Sequence, residues 1–176
     1  MLLDVGCGDG GVARLLRARV AEVVAVDIEP SAAWADAPGL AFRVANGEEL
    51  PFGDASFDLV HAKDALHHME HPDRALAELR RVLRPGGAAL IVEANRASPS
   101  FFLQMTLVRR HQHFTRRRFE NLVRGAFPLA SLGSFEAHYV PGAGRLLGVQ
   151  ERIEDALERL GPFRPLLSYN FAVARG

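Results

Sequence analysis

The chain has 176 residues, 48% of them hydrophobic and 24% charged, which is enough for one folded domain with a sizeable core. Its 21 basic and 21 acidic side chains balance, which removes any global electrostatic attraction to nucleic acid or to an anionic membrane. Cys7 is the single cysteine, which excludes an internal disulfide, and no apolar run approaches the roughly 20 residues that span a bilayer. We therefore expect a cytoplasmic protein with one domain, residues 1–176, and no integral membrane segment.

Apolar runs alternate with amphipathic segments along the first half of the chain, a pattern typical of βα units around a parallel sheet. Helical periodicity predicts that the helix over residues 11–19 buries Val12, Leu15 and Leu16, and that Ser31 caps a short helix over 32–35. A longer helix begins at Pro72 and stops at the Pro85-Gly86-Gly87 run. Five strands are predicted at residues 2–5, 22–27, 40–45, 56–63 and 88–94.

The second half is less regular. An apolar segment over 98–114 ends in basic residues, and Thr115 can cap a helix that turns Phe119, Leu122 and Val123 inward. Two late strands are predicted at 132–140 and 166–175, with an amphipathic helix between them at 149–161. With right-handed crossovers these elements predict an α/β fold with a doubly wound, mostly parallel seven-stranded sheet. Its ligand crevice lies at the carboxyl ends of the strands.

The stretch DVGCGDGG, Asp4 to Gly11, directly follows the first strand and fits two ligand-binding templates. Gly6, Gly8 and Gly11 spell the G-x-G-x-x-G dinucleotide pattern. Gly6, Gly8 and Gly10, with Asp4 ahead of them, spell a loop that cradles S-adenosylmethionine. The glycine spacing leaves both templates open, but Asp4 favours the second, because a carboxylate suits a cationic amino-acid tail and is badly placed beside a pyrophosphate.

Asp27 ends the second strand, about 17 residues after the loop. Both nucleoside-binding folds use an acid at this place to accept hydrogen bonds from ribose hydroxyls. The alternative is an aspartate that only closes a turn.

An ordered set of motifs extends the pattern downstream of the loop. It resembles the class I S-adenosylmethionine-dependent methyltransferases, in particular the methyltransferase-11-like group, over residues 2–94. The resemblance implies that the chain binds S-adenosyl-L-methionine and releases S-adenosyl-L-homocysteine. The matching motifs are Asp4 to Gly10, Asp27, Leu50-Pro51-Phe52, Ser56-Phe57-Asp58, Leu66-His67-His68 and Arg84-Pro85-Gly86-Gly87.

The resemblance also implies cofactor contacts beyond the loop. Asn46 and Gly47 would lie beside the adenine, and Ala62 and Lys63 under the methionine end. Because a cation beside a sulfonium is unfavourable, Lys63 is expected to point away or to pair with Asp64. The full set of predicted cofactor-binding residues is Asp4, Gly6, Cys7, Gly8, Gly10, Asp27, Ile28, Asn46, Gly47, Ala62 and Lys63.

His67 is the candidate catalytic base, because it lies near the expected acceptor side and can titrate near neutrality. A structural histidine that packs the loop is the alternative. No metal is predicted, since the spacing of the histidines in HHMEH, residues 67–71, is loose and no acid or thiol cluster accompanies them.

Within the domain, residues 1–96 are expected to bind the cofactor and residues 97–176 to face the acceptor, with an inserted cap at about 98–118. The apolar residues of this cap could line a pocket or belong to the core. Its basic cluster from Arg109 to Arg118 could be a solvated helix face or could bind an anionic group. The predicted reaction is methyl transfer to O or N of a small-molecule or lipid-like acceptor. Nucleic acid is not expected as a partner, and a homodimer is left open.

Members of the resembled group carry a helix ahead of the glycine loop, whereas this chain starts one residue before the first strand. The resemblance therefore predicts that the N-terminal helix is missing. Two interpretations stay open: an active methyltransferase, or a truncated cofactor-binding domain without catalytic activity that needs a partner to close the site.

Overall fold

A computed structural model describes residues 1–98, 113–136, 152, 155, 156, 159 and 166–176. Their strands form one sheet in the order β3-β2-β1-β4-β5-β7-β6. Strands β1 to β5 pair in parallel, and β7 runs antiparallel to both β5 and β6. The predicted α/β fold with a mostly parallel seven-stranded sheet is confirmed. The strands are β1 Leu2–Val5, β2 Val23–Asp27, β3 Leu40–Val44, β4 Phe57–Lys63, β5 Leu83–Ala94, β6 Ser131–Phe135 and β7 Tyr169–Arg175.

Helices cover both faces of the sheet. Helix α1, Gly11–Arg17, packs on one face with Leu2, and helices α2, Pro72–Val82, and α3, Arg116–Ala126, pack on the other with Leu3. The two faces differ because neighbouring residues of a strand point in opposite directions. Thr115 caps α3 as predicted: its hydroxyl accepts a hydrogen bond from the Arg118 amide at 3.4 Å. Within the described residues, no helix has the length and apolar character that crossing a membrane requires.

The buried stripe of α1 differs from the prediction. Ala13 is fully buried and Leu16 packs beside it, whereas Leu15 is 72% exposed and Val12 is 37% exposed. Residues 13 and 16 form one helical stripe and residues 12, 15 and 16 another, so periodicity alone allows both. The left-handed turn at Gly10, immediately before the helix, sets the rotation that turns the first stripe to the sheet.

The short helix predicted at 32–35 is wrong. Ser31 instead closes a turn, with its hydroxyl accepting a hydrogen bond from the Ala33 amide at 3.2 Å. Trp34 leaves the turn to donate its indole N–H to the Gly8 carbonyl at 2.7 Å and to stack on Phe42. These tertiary contacts prevail because a four-residue helix has almost no stability of its own.

Strand bounds also shift. Strand β5 begins at Leu83, opposite Phe57, rather than at Ala88, because Gly86 with φ of +79° lets the chain run directly from α2 into the ladder. Strand β7 begins at Tyr169 rather than at residue 166. Strand β6 is described over Ser131–Phe135, and residues 137–140 of the predicted strand lie outside the described residues. Of the helix predicted at 149–161, the four described residues are helical and the others lie outside the described residues. Residues 99–112 of the predicted cap lie outside them as well.

Candidate functional site

A cavity of about 600 Å³ opens at the carboxyl ends of β1, β2 and β4, beside the glycine loop. Strand β1 has β2 on one side and β4 on the other, so the cavity lies where the strand order reverses. Ligands of open α/β sheets bind at such switch points. Six of the predicted cofactor-binding residues line it: Gly6, Gly8, Asp27, Ile28, Asn46 and Gly47.

The cavity is acidic. Its lining contributes five carboxylates and, among the described residues, no lysine or arginine. A pyrophosphate would be repelled by this lining, whereas a ligand with positively charged groups would be attracted to it. The carboxylates are those of Asp27, Glu29, Glu48, Asp64 and Glu70.

The backbone of the glycine loop distinguishes between the two sequence templates. Gly6, Gly8 and Gly10 all have positive φ, at 74°, 53° and 80°, whereas Gly11 does not. A Cβ at Gly6 would lie 2.4 Å from the Ala65 Cβ, and one at Gly10 would lie 2.4 Å from the Phe42 ring. The loop therefore requires the glycines of the G-x-G-x-G pattern, and Gly11 is simply the first residue of α1.

Asp27 stands at the end of β2 and is fixed by the loop. Its Oδ2 accepts a hydrogen bond from the Gly8 amide at 2.8 Å, and its Oδ1 accepts one from the Glu29 amide at 3.4 Å. A carboxylate oxygen has further acceptor capacity, so the side chain is oriented without being saturated. This arrangement suits the predicted contact with ribose hydroxyls.

Asp4 lies beneath the loop, only 2% exposed, and does not line the cavity. Its Oδ1 is 2.7 Å from Nδ1 of His61, the residue directly opposite it on β4. Its Oδ2 is buried and accepts no hydrogen bond from any residue in the described part of the chain. Sequence reasoning singled out Asp4 but missed His61, which carried no signal beyond its place in a strand.

Asn46 and Gly47 form the far wall of the cavity. The Asn46 side-chain carbonyl accepts a hydrogen bond from the Glu48 amide at 2.9 Å, which closes a turn at this position. Gly47 is buried, and a Cβ there would lie 2.6 Å from the Met69 methyl group. The glycine thus allows Met69 to pack against the wall, and the predicted role of both residues beside an adenine stays a prediction.

Ala62 and Lys63 do not line the cavity. Ala62 is a core residue, and the Lys63 ammonium turns to Asp64 at 2.5 Å and lies over the Tyr169 ring. Burial by itself would lower the pKa of Lys63, but the hydrogen bond and the charge of Asp64 outweigh it, so the pKa lies above the ordinary 10.5. Asp64, which sequence reasoning treated only as a partner for Lys63, itself faces the cavity.

Two further predicted residues differ in their surroundings. Ile28 lines the cavity and is 66% exposed, so it offers an apolar surface there. Cys7 is buried, and burial together with the charges of Asp4 and Asp27 raises the pKa of its thiol to about 12. Cys7 is therefore a neutral packing residue at physiological pH rather than a nucleophile.

His67 is held by a residue that sequence reasoning missed. Its Nδ1 lies 2.7 Å from Oε2 of Glu93, a carboxylate that is completely buried at the end of β5. The other oxygen of Glu93 accepts hydrogen bonds from the amides of Ala65 and Leu66, at 3.0 and 2.7 Å. The His67 side chain is only 3% exposed, and its ring lies 4.0 Å from that of His68, which lines the cavity.

His113 completes this cluster from the segment before α3, with its ring 4.2 Å from that of His67. His67, Glu93 and His113 each offer one potential metal-ligand atom, all within 4.8 Å of one another. The 2.7 Å separation of Nδ1 and Oε2 is a hydrogen-bond length and is shorter than the spacing of two ligands on one zinc ion, roughly 3 Å or more for ligands about 2 Å from the metal. Within the cluster, His67 and Glu93 are therefore a hydrogen-bonded pair. His68 and His71 of the HHMEH segment are not part of it.

Comparison with known proteins identifies the family of the chain. A family model described as a methyltransferase domain matches residues 3–91, half of the chain. The fold and the loop are those of the class I S-adenosylmethionine-dependent methyltransferases. The chain belongs to this methyltransferase domain family.

Individual relatives agree on the family. The chain is 38% identical over 107 residues to the ubiquinone/menaquinone biosynthesis C-methyltransferase UbiE of Bordetella avium, covering 55% of this chain and 42% of that protein. It is 42% identical over 98 residues to the 27-O-demethylrifamycin SV methyltransferase of Amycolatopsis mediterranei, covering 49% and 35%. The chain thus spans less than half the length of these curated relatives.

A solved structure shows the same fold. The phosphoethanolamine N-methyltransferase 2 of Haemonchus contortus, in complex with S-adenosyl-L-methionine, superposes with a TM-score of 0.66 at 23% identity. The match covers 99% of this chain and 48% of that one.

Proposed function

We propose that this chain binds S-adenosylmethionine in the acidic cavity and transfers its methyl group to a small-molecule or lipid-like acceptor. The observation that carries the proposal is the cavity itself: five carboxylates beside a G-x-G-x-G loop at the switch point of the sheet. Its volume of about 600 Å³ lies within the usual range for a cofactor site.

The residues of the cavity fit the parts of this cofactor. Asp27 would accept hydrogen bonds from the ribose hydroxyls, and Asn46 with Gly47 would border the adenine. Gly8 lines the cavity, and a Cβ at that position would lie more than 4 Å from the described residues other than its chain neighbours. The cofactor can therefore come close to the Gly8 backbone. Asp4 keeps one buried oxygen that can accept a hydrogen bond from a cationic amino group, directly or through a water molecule.

S-adenosylmethionine supplies an electrophilic methyl group on a sulfonium, a good leaving group. The protein therefore has to align the acceptor atom with that methyl and exclude water. We assign the base to His67, because Glu93 orients its ring through Nδ1 and would stabilise the imidazolium that forms when a proton is taken up. A structural role for His67 is the alternative.

The acceptor is proposed to react at O or N and to be a small-molecule or lipid-like compound that can carry an anionic group. By its name, one relative is a C-methyltransferase of ubiquinone and menaquinone biosynthesis, whereas another acts on 27-O-demethylrifamycin SV. The second of these names supports an oxygen acceptor. An anionic group on the acceptor would be attracted by the positive charges at the start of α3, which are those of Arg116, Arg117 and Arg118.

Transfer of labelled methyl from S-adenosylmethionine tests the proposal, with a hydroquinone, a phenol and a primary amine as probe acceptors. Labelled product together with S-adenosylhomocysteine supports the enzyme. Binding of S-adenosylhomocysteine without transfer to any probe supports the inactive, cofactor-binding alternative. Absence of binding up to millimolar concentration contradicts both interpretations. His67→Gln should lower turnover on an acceptor without changing cofactor affinity, and His71→Gln, at a half-exposed position, serves as the matched control.

A further inference from the structure

The proposed function gives Asp4 a role but gives none to His61, its buried partner. The two residues face each other across the ladder between β1 and β4, and their side chains are only 3% and 10% exposed. Directly opposite residues of neighbouring strands lie on the same face of a sheet, so the pair is built into the backbone register. The contact of 2.7 Å joins His61 Nδ1 to Asp4 Oδ1.

The other carboxylate oxygen of Asp4 is incompletely satisfied. Oδ2 has less than 1 Å² of exposed surface and receives no hydrogen bond from the described residues. The nearby loop amides are engaged elsewhere: those of Gly6 and Cys7 donate to the Val26 carbonyl, and that of Gly8 donates to Asp27. A buried carboxylate with so few donors is costly, and a cationic donor would relieve that cost.

The thiol of Cys7 does not supply this donor. Within the described part of the chain it makes one weak hydrogen bond, to the Gly8 carbonyl at 4.0 Å, and the Asp4 charge is one of the reasons that the pKa of the thiol is raised. Among the described residues, His61 is therefore the hydrogen-bonding partner that fixes Asp4.

We propose that His61 is a positioning residue for the cofactor: by holding Asp4 Oδ1, it keeps Oδ2 directed to the ammonium group of the methionine part, directly or through one water. This rests on the proposed function. Asp4 would contact the amino-acid part of the cofactor alone. Removing the His61 contact should therefore lower the affinity for ligands that carry an ammonium group and leave the affinity for ligands without one unchanged.

Two ligands separate these parts. S-adenosylhomocysteine carries the ammonium and carboxylate groups, whereas 5′-methylthioadenosine has the same nucleoside and no amino-acid tail. Isothermal titration calorimetry gives both affinities for each variant. His61→Phe and His61→Gln remove the donor at the Nδ1 position, and His61→Asn retains an amide donor close to it. His71→Phe, at a half-exposed position, is the control.

For His61→Phe and His61→Gln we expect the affinity for S-adenosylhomocysteine to fall at least about tenfold, the scale for losing a charge-assisted contact, with 5′-methylthioadenosine unchanged. His61→Asn should stay within about threefold of the unmodified chain for both ligands. The use of both Phe and Gln keeps the test open if one of them does not fold.

Equal loss of both ligands in the folded variants, or no loss of either, overturns the role of His61. The same holds if the unmodified chain binds the two ligands with equal affinity, because the amino-acid part would then contribute nothing. Failure of the unmodified chain to bind either ligand is a different result: it contradicts the proposed function itself.

Discussion

Glu93→Leu should strongly destabilise the fold, because Glu93 holds the segment that carries the candidate base. The carboxylate is completely buried and accepts three hydrogen bonds, from the amides of Ala65 and Leu66 and from His67 Nδ1, at 3.0, 2.7 and 2.7 Å. Leucine has a similar volume but no acceptor, so the substitution leaves three donors without an acceptor in the interior.

The magnitude follows from those three donors. Each buried polar group that loses its partner costs about 1–3 kcal/mol, and the burial of leucine offsets part of the sum. We expect a loss of about 3–5 kcal/mol in the free energy of unfolding, a large share of the roughly 5–15 kcal/mol of a typical domain. Glu93→Gln keeps one oxygen for the two amides and should cost less, about 1–2 kcal/mol.

Urea unfolding followed by far-ultraviolet circular dichroism measures both variants, with Glu49→Leu at an exposed position as the control, for which a change below about 0.5 kcal/mol is expected. The loss in the free energy of unfolding should be largest for Glu93→Leu, smaller for Glu93→Gln and smallest for Glu49→Leu. A cost below 1 kcal/mol for Glu93→Leu would show that the three contacts do not hold this segment.

Four further predictions concern the loop and its neighbours. Asp27→Ala should weaken S-adenosylhomocysteine binding by about 1–3 kcal/mol in calorimetry, and unchanged affinity would rule out the ribose contact. Gly10→Ala should destabilise the chain by about 2–3 kcal/mol in urea unfolding, because of its φ of +80° and the Phe42 ring 2.4 Å from the new Cβ. Gly11→Ala should cost under about 1 kcal/mol, and the reverse order would favour the dinucleotide template. Because the pKa of Cys7 is raised to about 12 in the folded state, its thiol should not react with Ellman's reagent at pH 8 until the chain is unfolded. For the same reason the unfolded chain loses the thiol proton first, so the thiol makes stability fall as pH rises from about 9 towards 12, and Cys7→Ala should make that slope smaller.

Much of the fold could be predicted because its signals are local. Buried parallel strands appear in the sequence as short continuous apolar runs. The turn between β1 and α1 is indicated by the glycines that its positive φ angles require. Trp34 shows where local signals fail. The helix expected around it does not form, because its indole instead makes a hydrogen bond and a stacking contact with residues distant in sequence. The rotation of α1, which exposes Leu15, likewise depends on the turn before it.

The site was predictable only where its residues follow strands directly. Gly6, Gly8 and Asp27 belong to motifs, and the structure brings them to one cavity. The partners that hold the site are distant in sequence: Glu93 lies 26 residues from His67, and His61 lies 57 residues from Asp4. Strand register and helix position create these pairs, so no spacing rule identifies them in advance.

The central claim is that the acidic cavity holds S-adenosylmethionine and not a dinucleotide. Calorimetric titration of the unmodified chain with S-adenosylhomocysteine and, separately, with NAD⁺ tests it most directly. We expect one-to-one binding of S-adenosylhomocysteine and no binding of NAD⁺, because the carboxylates that line the cavity repel a pyrophosphate. Binding of NAD⁺, or no binding of S-adenosylhomocysteine up to millimolar concentration, would contradict it.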